Sequence, residues 1–258
     1  MRRMKYLGGI SCLLLFLMLV ASCGTTDKEE GKLKSQVTDT EPVPEKTTEP
    51  CMAVIEWVDF LMINNIKYYQ NYDGTKSVTE EQLDDKVGEV SYMLNDHACT
   101  DHVEKNGDAA FLPIGTVVYA LKGYKPEFRV VANNKIYEVK DNSKAETIGE
   151  LLDIEGKVEK ISLESSEDGS PIGDFGKDET TEFVQELLSL ENVGFNAVYE
   201  KIKHEAGIFL RVHLHDGTSF RMVYYPSANG FTAGAFGSEK LRILIMSQRE
   251  QIKAAAGL

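Results

Sequence analysis

Along residues 208–225, IFLRVHLHDGTSFRMVYY, apolar side chains fall on alternate positions: Ile208, Leu210, Val212 and Leu214, then Phe220, Met222 and Tyr224. Alternation of this kind puts each set on one face of a strand, so the stretch predicts a β-hairpin with one buried and one wet face. The loop decides its register. A two-residue turn at Asp216-Gly217 would set Val212 opposite Arg221 and mix the faces. An odd-length loop with Gly217 at positive φ keeps the apolar face continuous, so a three-residue loop is expected.

The same reading extends along the chain. Residues 53–72, AVIEWVDFLMINNIKYYQNY, form two β-rich runs around Asn64-Asn65, a pair that tolerates positive φ and suits a tight hairpin. Ser77 and Thr79, followed three residues later by Glu80 and Gln82, predict a short capped helix before Gly88, and EVSYMLN a further strand. Residues 109–141 hold three extended runs divided at 123–126 and at Asn133-Asn134, an antiparallel meander. Composition turns polar at 141–147, where a domain boundary is expected, and KVEKISLES then begins a second series with a turn at 167–170. Residues 178–190 place Phe183, Val184, Leu187 and Leu188 on one side of an amphipathic helix. SANGFTAGAFGSEK reads as a mobile connection, and a last helix is expected from a cap at Ser238 to near Gly257, although LRILIM alone also fits a buried strand. The sum is an α+β protein of two small domains, β-rich over 51–142 and α+β over 143–258, with antiparallel sheets and a few covering helices.

The first fifty residues follow another pattern. Arg2, Arg3 and Lys5 precede an apolar run from Ile10 to Val20, a signal-like order that is short of the roughly 20 residues a spanning helix needs. The run ends in small residues, and Leu19-Val20-Ala21-Ser22-Cys23 resembles the lipobox of bacterial lipoproteins, in which the cysteine receives a diacylglycerol and becomes the new N-terminus after cleavage. The resemblance implies a signal peptide over 1–22, lipidation at Cys23, and a chain anchored at the extracytoplasmic face of the cell membrane. Residues 24–50 carry almost no large apolar side chain. They cannot bury enough surface to offset ordering entropy, so with Cys23 they are expected to form a disordered tether of roughly 30 Å mean span. GDAAFLPIGTVVYALKGYKPEFRV resembles a segment of uncharacterised secreted lipoproteins of Gram-positive bacteria, a likeness covering residues 55–140. It implies the same localisation and a β-rich domain, and brings no activity with it.

Charge narrows the partners. The chain has a formal net charge of −13, and loss of the three basic residues ahead of Cys23 leaves 25 basic against 41 acidic groups, a net −16. Such a surface repels nucleic acid and other polyanions, so the expected partners are the membrane through its anchor and a protein or small-molecule ligand. DHACTDH, residues 96–102, is the densest cluster of candidate ligands. It admits a Cys51–Cys99 disulfide, two separate thiols, or a zinc or copper site from His97, Cys99 and His102. His213 and His215 stand two apart on a predicted strand and would share a face. Tyr124, Phe128 and Arg129, with Tyr119, Lys122 and Lys125, could form a ligand-binding surface at a turn. Neither a nucleophile elbow nor a phosphate loop is present in the sequence, and no cofactor is expected. The expected function is a non-catalytic binding or envelope accessory lipoprotein. The alternative is a metal-binding protein or metal-dependent enzyme using the Asp96–His102 loop.

Overall fold

The computed structural model describes residues 56–74, 77–95 and 97–258. The expected signal segment, Cys23, the tether, Cys51 and Asp96 lie outside them. Among the described residues an eight-stranded and a six-stranded sheet are joined by four α-helices, an α+β architecture. The first sheet holds β1 (Phe60–Ile63), β2 (Ile66–Gln70), β3 (Leu83–Glu89), β4 (Tyr92–Met93), β5 (Asp108–Ala109), β6 (Val117–Leu121), β7 (Arg129–Ala132) and β8 (Lys135–Val139). Their order is β3-β6-β7-β8-β2-β1-β5-β4, and only β4 and β5 run parallel.

Both Asn-Asn pairs make the expected turns. Asn64 and Asn65 have φ of 54° and 62°, and Asn133 and Asn134 have 50° and 60°. These left-handed pairs match the strand twist of a two-residue hairpin, and they set Ile63 opposite Ile66 and Ala132 opposite Lys135. The helix expected before Gly88 is instead a single 3-10 turn, Glu80–Gln82, where the Gln82 side chain accepts from the Thr79 backbone N–H at 3.0 Å. The chain then enters β3 directly, because β6 supplies a ladder along Leu83–Glu89 and a one-turn helix has little stability of its own. EVSYMLN contributes the last residue of β3, Glu89, and the two residues of β4.

The second half begins with α1 (Ile148–Leu151), β9 (Val158–Glu164), β10 (Pro171–Asp174), α2 (Lys177–Leu188) and α3 (Phe195–Ile202). It continues through β11 (Ile208–Leu214), β12 (Ser219–Tyr225), β13 (Gly230–Phe231), β14 (Ala235–Phe236) and α4 (Glu239–Ala255). The sheet order is β10-β9-β11-β12-β13-β14. Val212 pairs with Phe220 and Gly217 has φ of 79°, so the hairpin has the odd-length loop that keeps its apolar face continuous. On that face α2 buries Phe183, Val184 and Leu187, with the Phe183 ring edge-on to Phe175 and to Phe231 at 6.0 and 6.3 Å.

LRILIM is helical. The Ser238 Oγ accepts from the Leu241 N–H at 3.0 Å, and α4 buries Leu241, Leu244, Ile245 and Ile252 while leaving Ile243 60% exposed. Each such buried Leu or Ile contributes about 1.5–3 kcal/mol over an exposed one, which favours the 3.6-residue period over an alternating one. The glycine-rich connection after β12 is structured as well. Phe231 and Ala235 are fully buried, and the Asn229 side chain donates to the Gly237 carbonyl at 2.6 Å, pinning β13 and β14 to the sheet. Burial of one large aromatic gives this stretch the anchor its small residues lack.

The polar stretch 141–147 separates the two sheets along the chain. Leu61, Val130 and Tyr137 of the first sheet nevertheless share one buried cluster with Leu163, Leu210 and Tyr224 of the second. The segments expected as separate domains therefore meet in a common core. No helix among the described residues is long and apolar enough to cross a membrane.

Candidate functional site

The outward face of the second sheet gathers charge. Across β9 and β11, Glu164 faces Phe209, Ser162 faces Arg211 and Lys160 faces His213. Across β11 and β12 the same three face Val223, Arg221 and Ser219. Like charges directly opposite one another, here Arg211 and Arg221, destabilise a ladder unless a counter-ion lies between them. Glu164 is that counter-ion: its side chain is 3% exposed, one carboxylate oxygen accepts from Arg211 Nε, and the other accepts from Arg221 Nε at 2.6 Å.

A second carboxylate reaches the pair from the first half of the chain. Asp73 Oδ2 accepts from Arg211 Nη2 at 2.9 Å and stands 3.8 Å from Arg221 Nη2. Gly74 permits this approach, since a Cβ there would stand 1.7 Å from the Ser219 carbonyl oxygen. The Gly74 carbonyl accepts from the Ser219 N–H at 2.6 Å and the Asn71 amide donates to the Ser219 carbonyl at 2.8 Å, so the segment is clamped to the start of β12. The hydrogen bond from Arg211 holds the Asp73 carboxyl below its ordinary pKa, against a partial burial that raises it. Burial lowers the Arg211 pKa, but the bonds to Asp73 and Glu164 outweigh it and leave the net shift upward.

One row along, the Ser162 hydroxyl donates to Asp174 Oδ1 at 2.6 Å and lies 2.9 Å from His213 Nε2. With its hydrogen on Asp174, Ser162 accepts from His213, which fixes the Nε2–H tautomer. A nucleophilic serine needs the reverse polarity, giving its proton to the histidine, so this arrangement orders side chains and does not activate the hydroxyl. Burial, followed by the charge of Lys160, lowers the His213 pKa, and Asp174 opposes the shift. His215 does not share this face: β11 ends at Leu214, and His215 lies in the loop with its backbone N–H donating to the Lys157 carbonyl.

The Asp96–His102 loop, for which the sequence admits a disulfide, separate thiols or a metal site, gives its histidines other partners. His97 Nδ1 lies 2.8 Å from the Asn95 carbonyl, while His102 Nε2 pairs with Asp108 Oδ2 at 2.7 Å and its ring stacks on Tyr92. Cys99 is disulfide-bonded and so has no thiolate to offer a metal. The other cysteines, Cys12, Cys23 and Cys51, lie outside the described residues. Among the described residues no group of three His, Cys, Asp or Glu is placed to hold a metal ion.

Tyr124, Phe128 and Arg129 do not form an open ligand surface, because Phe128 is 2% exposed and Arg129 0%. They grip the β11–β12 loop instead. Tyr124 OH donates to Asp216 Oδ2 at 2.7 Å, and Arg129 Nη1 donates to Thr218 Oγ1 at 2.8 Å and stands 3.6 Å from Asp216. Arg129 Nη2 contacts Glu138 at 2.5 Å, and the guanidinium lies 4.9 Å from the ring centres of both Tyr124 and Phe128. Burial raises the Asp216 pKa, but bonds from Thr218 and Tyr124 and the charge of Arg129 leave it lowered overall. Elsewhere a cleft of about 600 Å³ opens between the entry to β9 and α2, lined by Val158, Thr180, Val184 and Leu188, with Glu155 and Gln185 at its walls. It takes no part in the charged network.

Asp73, Ser162, Glu164, Asp174, Arg211 and Arg221 are not among the site residues that the sequence predicts. A signal for part of the set was present, since a three-residue loop that pairs Val212 with Phe220 also pairs Arg211 with Arg221 and calls for an acid nearby. Comparison with protein-family models, with curated proteins and with solved structures finds no match for this chain.

Proposed function

We propose that the protein is a lipid-anchored lipoprotein of the extracytoplasmic membrane face, acting as a non-catalytic binding or envelope accessory protein. The observation that carries this reading is the order Leu19-Val20-Ala21-Ser22-Cys23 at the end of an apolar run too short to span. Two acyl chains on one cysteine hold a chain on a bilayer stably. The disulfide at Cys99 supports export, since such bonds persist in oxidising compartments. The charged face of β9, β11 and β12 is the surface offered to a partner. Its groups are held in place by neighbours and remain within reach of solvent, with the Arg221 side chain 34% exposed.

The test is metabolic labelling with radioactive palmitate followed by fractionation. The wild-type chain is expected to carry label in the membrane fraction. The Cys23→Ala variant should carry none, and should be released to the medium or left unprocessed. A variant that fractionates and labels like the wild type would overturn the anchoring.

A further inference from the structure

We infer that Arg211 and Arg221 form a binding fork for the carboxylate of an amphipathic monoanion, a carboxylate joined to an apolar or aromatic group, and that Asp73 occupies the fork in the free protein. The inference rests on reading the charged face as the binding surface and is independent of lipid attachment at Cys23.

Three observations converge on it. Each guanidinium spends its Nε on the buried Glu164, so the Nη edges of both face away from that carboxylate. Among the described residues the two Nη groups of Arg221 make no hydrogen bond, although the side chain is only 34% exposed. Guanidinium edges bind carboxylates with paired, directional donors, and two of them side by side make a site for one more carboxylate. Asp73 fills that place loosely, 56% exposed, within hydrogen-bond reach of Arg211 and 3.8 Å from Arg221.

Apolar surface lies one row along on the same face. Phe209 is opposite Val223, and Arg221 sits 5.7 Å from the Phe209 ring centre. Gly207 lets the two side chains next to it pack down onto the backbone: a Cβ there would stand 2.2 Å from Val223 Cγ1 and 3.1 Å from Tyr225 Cε1, so Val223 and Tyr225 close over it and join Phe209 in one apolar patch. A ligand with its carboxylate at the fork and an apolar group over Phe209, Val223 and Tyr225 would satisfy both halves. The net charge of −13 selects against polyanions, whose repulsion grows with each added charge, and leaves a single carboxylate as the acceptable anion.

The test uses the full chain in nonionic detergent and three probes: N-acetyl-L-phenylalanine, its uncharged amide, and a short neutral peptide ending in phenylalanine with a free carboxylate. Saturable chemical-shift changes are expected with both carboxylates and not with the amide. A peptide that binds much more tightly than the amino acid points to a protein C-terminus as the ligand, and equal binding points to a free small carboxylate. Arg221→Gln should weaken binding about tenfold or more, the scale of one hydrogen bond to a charged group. Asp73→Asn should tighten it several-fold by removing the internal competitor, a gain that a misfolded variant does not give. No binding by either carboxylate, equal binding of the amide, or unchanged affinity in Asp73→Asn overturns the inference. Palmitate labelling at Cys23 reports separately on the anchoring.

Discussion

Two arginines divide the structural and the accessible chemistry of this protein. Arg129 on β7 is 0% exposed, lies against Tyr124 and Phe128, and binds the loop of the opposite sheet through Thr218 and Asp216. Arg211 on β11 has a side chain 11% exposed and shares Glu164 with a second arginine at the edge of solvent. Both are balanced by carboxylates, but the surroundings differ. Around Arg129 desolvation is complete, and among the described residues its Nε has no hydrogen-bond partner. Around Arg211 every donor nitrogen has an acceptor, and Arg221 holds donors in reserve. A buried ion pair of the first kind fixes how two sheets meet. One of the second kind can exchange one of its carboxylates at small cost, because water and a second guanidinium remain at hand.

Substitution at the two positions should separate them. Arg129→Met keeps the bulk but strands Glu138 and Asp216, and breaking a buried pair by removing one partner costs about 3–5 kcal/mol. Arg211→Met leaves Glu164 still bonded to Arg221, so the loss should be about 1.5–3 kcal/mol, that of hydrogen bonds to a charged group. Urea unfolding of both variants under one condition measures the difference. Equal losses would mean that the outer cluster is as structural as the inner one, and would remove the basis for treating it as an exchangeable site.

The difference between the two arginines also marks how much was legible in the sequence. Alternation and turn chemistry disclosed the two Asn-Asn hairpins, the meander of β6 to β8, the register of β11 on β12 and the helices α2 and α4, since each of these is decided within a few residues of itself. Long-range relations were less legible. Tyr124, Phe128 and Arg129 looked like a binding turn because aromatic and cationic side chains at a Gly-Pro turn have that composition whether they face solvent or a loop 92 residues away, as Tyr124 faces Asp216. Glu164 and Asp73 escaped notice because their partners come from β11 and β12, and only the sheet order puts β9 next to β11. The connection holding Phe231 reads as mobile in the sequence because glycines set its composition, whereas one buried ring sets its structure.

The smallest expected effect, and the finest discriminator, is the pH dependence contributed by His213. Burial and Lys160 lower its pKa on folding from an ordinary value of 6.5, with Arg211 adding to the shift and Asp174 and Glu164 opposing it. Between the lowered and the ordinary value the unfolded chain binds the proton that the folded chain refuses, so stability rises with pH there. The contribution of neutral His213 is therefore complete above pH 6.5 and is lost as pH falls toward the folded value. Asp73, Asp174 and Asp216, all lowered from 3.8, act in the same direction but in a separate, more acidic window. Urea midpoints of the wild type and of His213→Gln, compared at pH 7.5 and 5.5, isolate the histidine term, and the variant should show the shallower decline. Parallel declines would mean that His213 does not carry the dependence and would detach the Ser162–His213 contact from the electrostatics of the arginine pair. A shallower decline would mean that burial of the Ser162–His213 row, with the charge of Lys160, opposes protonation of His213 in the folded chain.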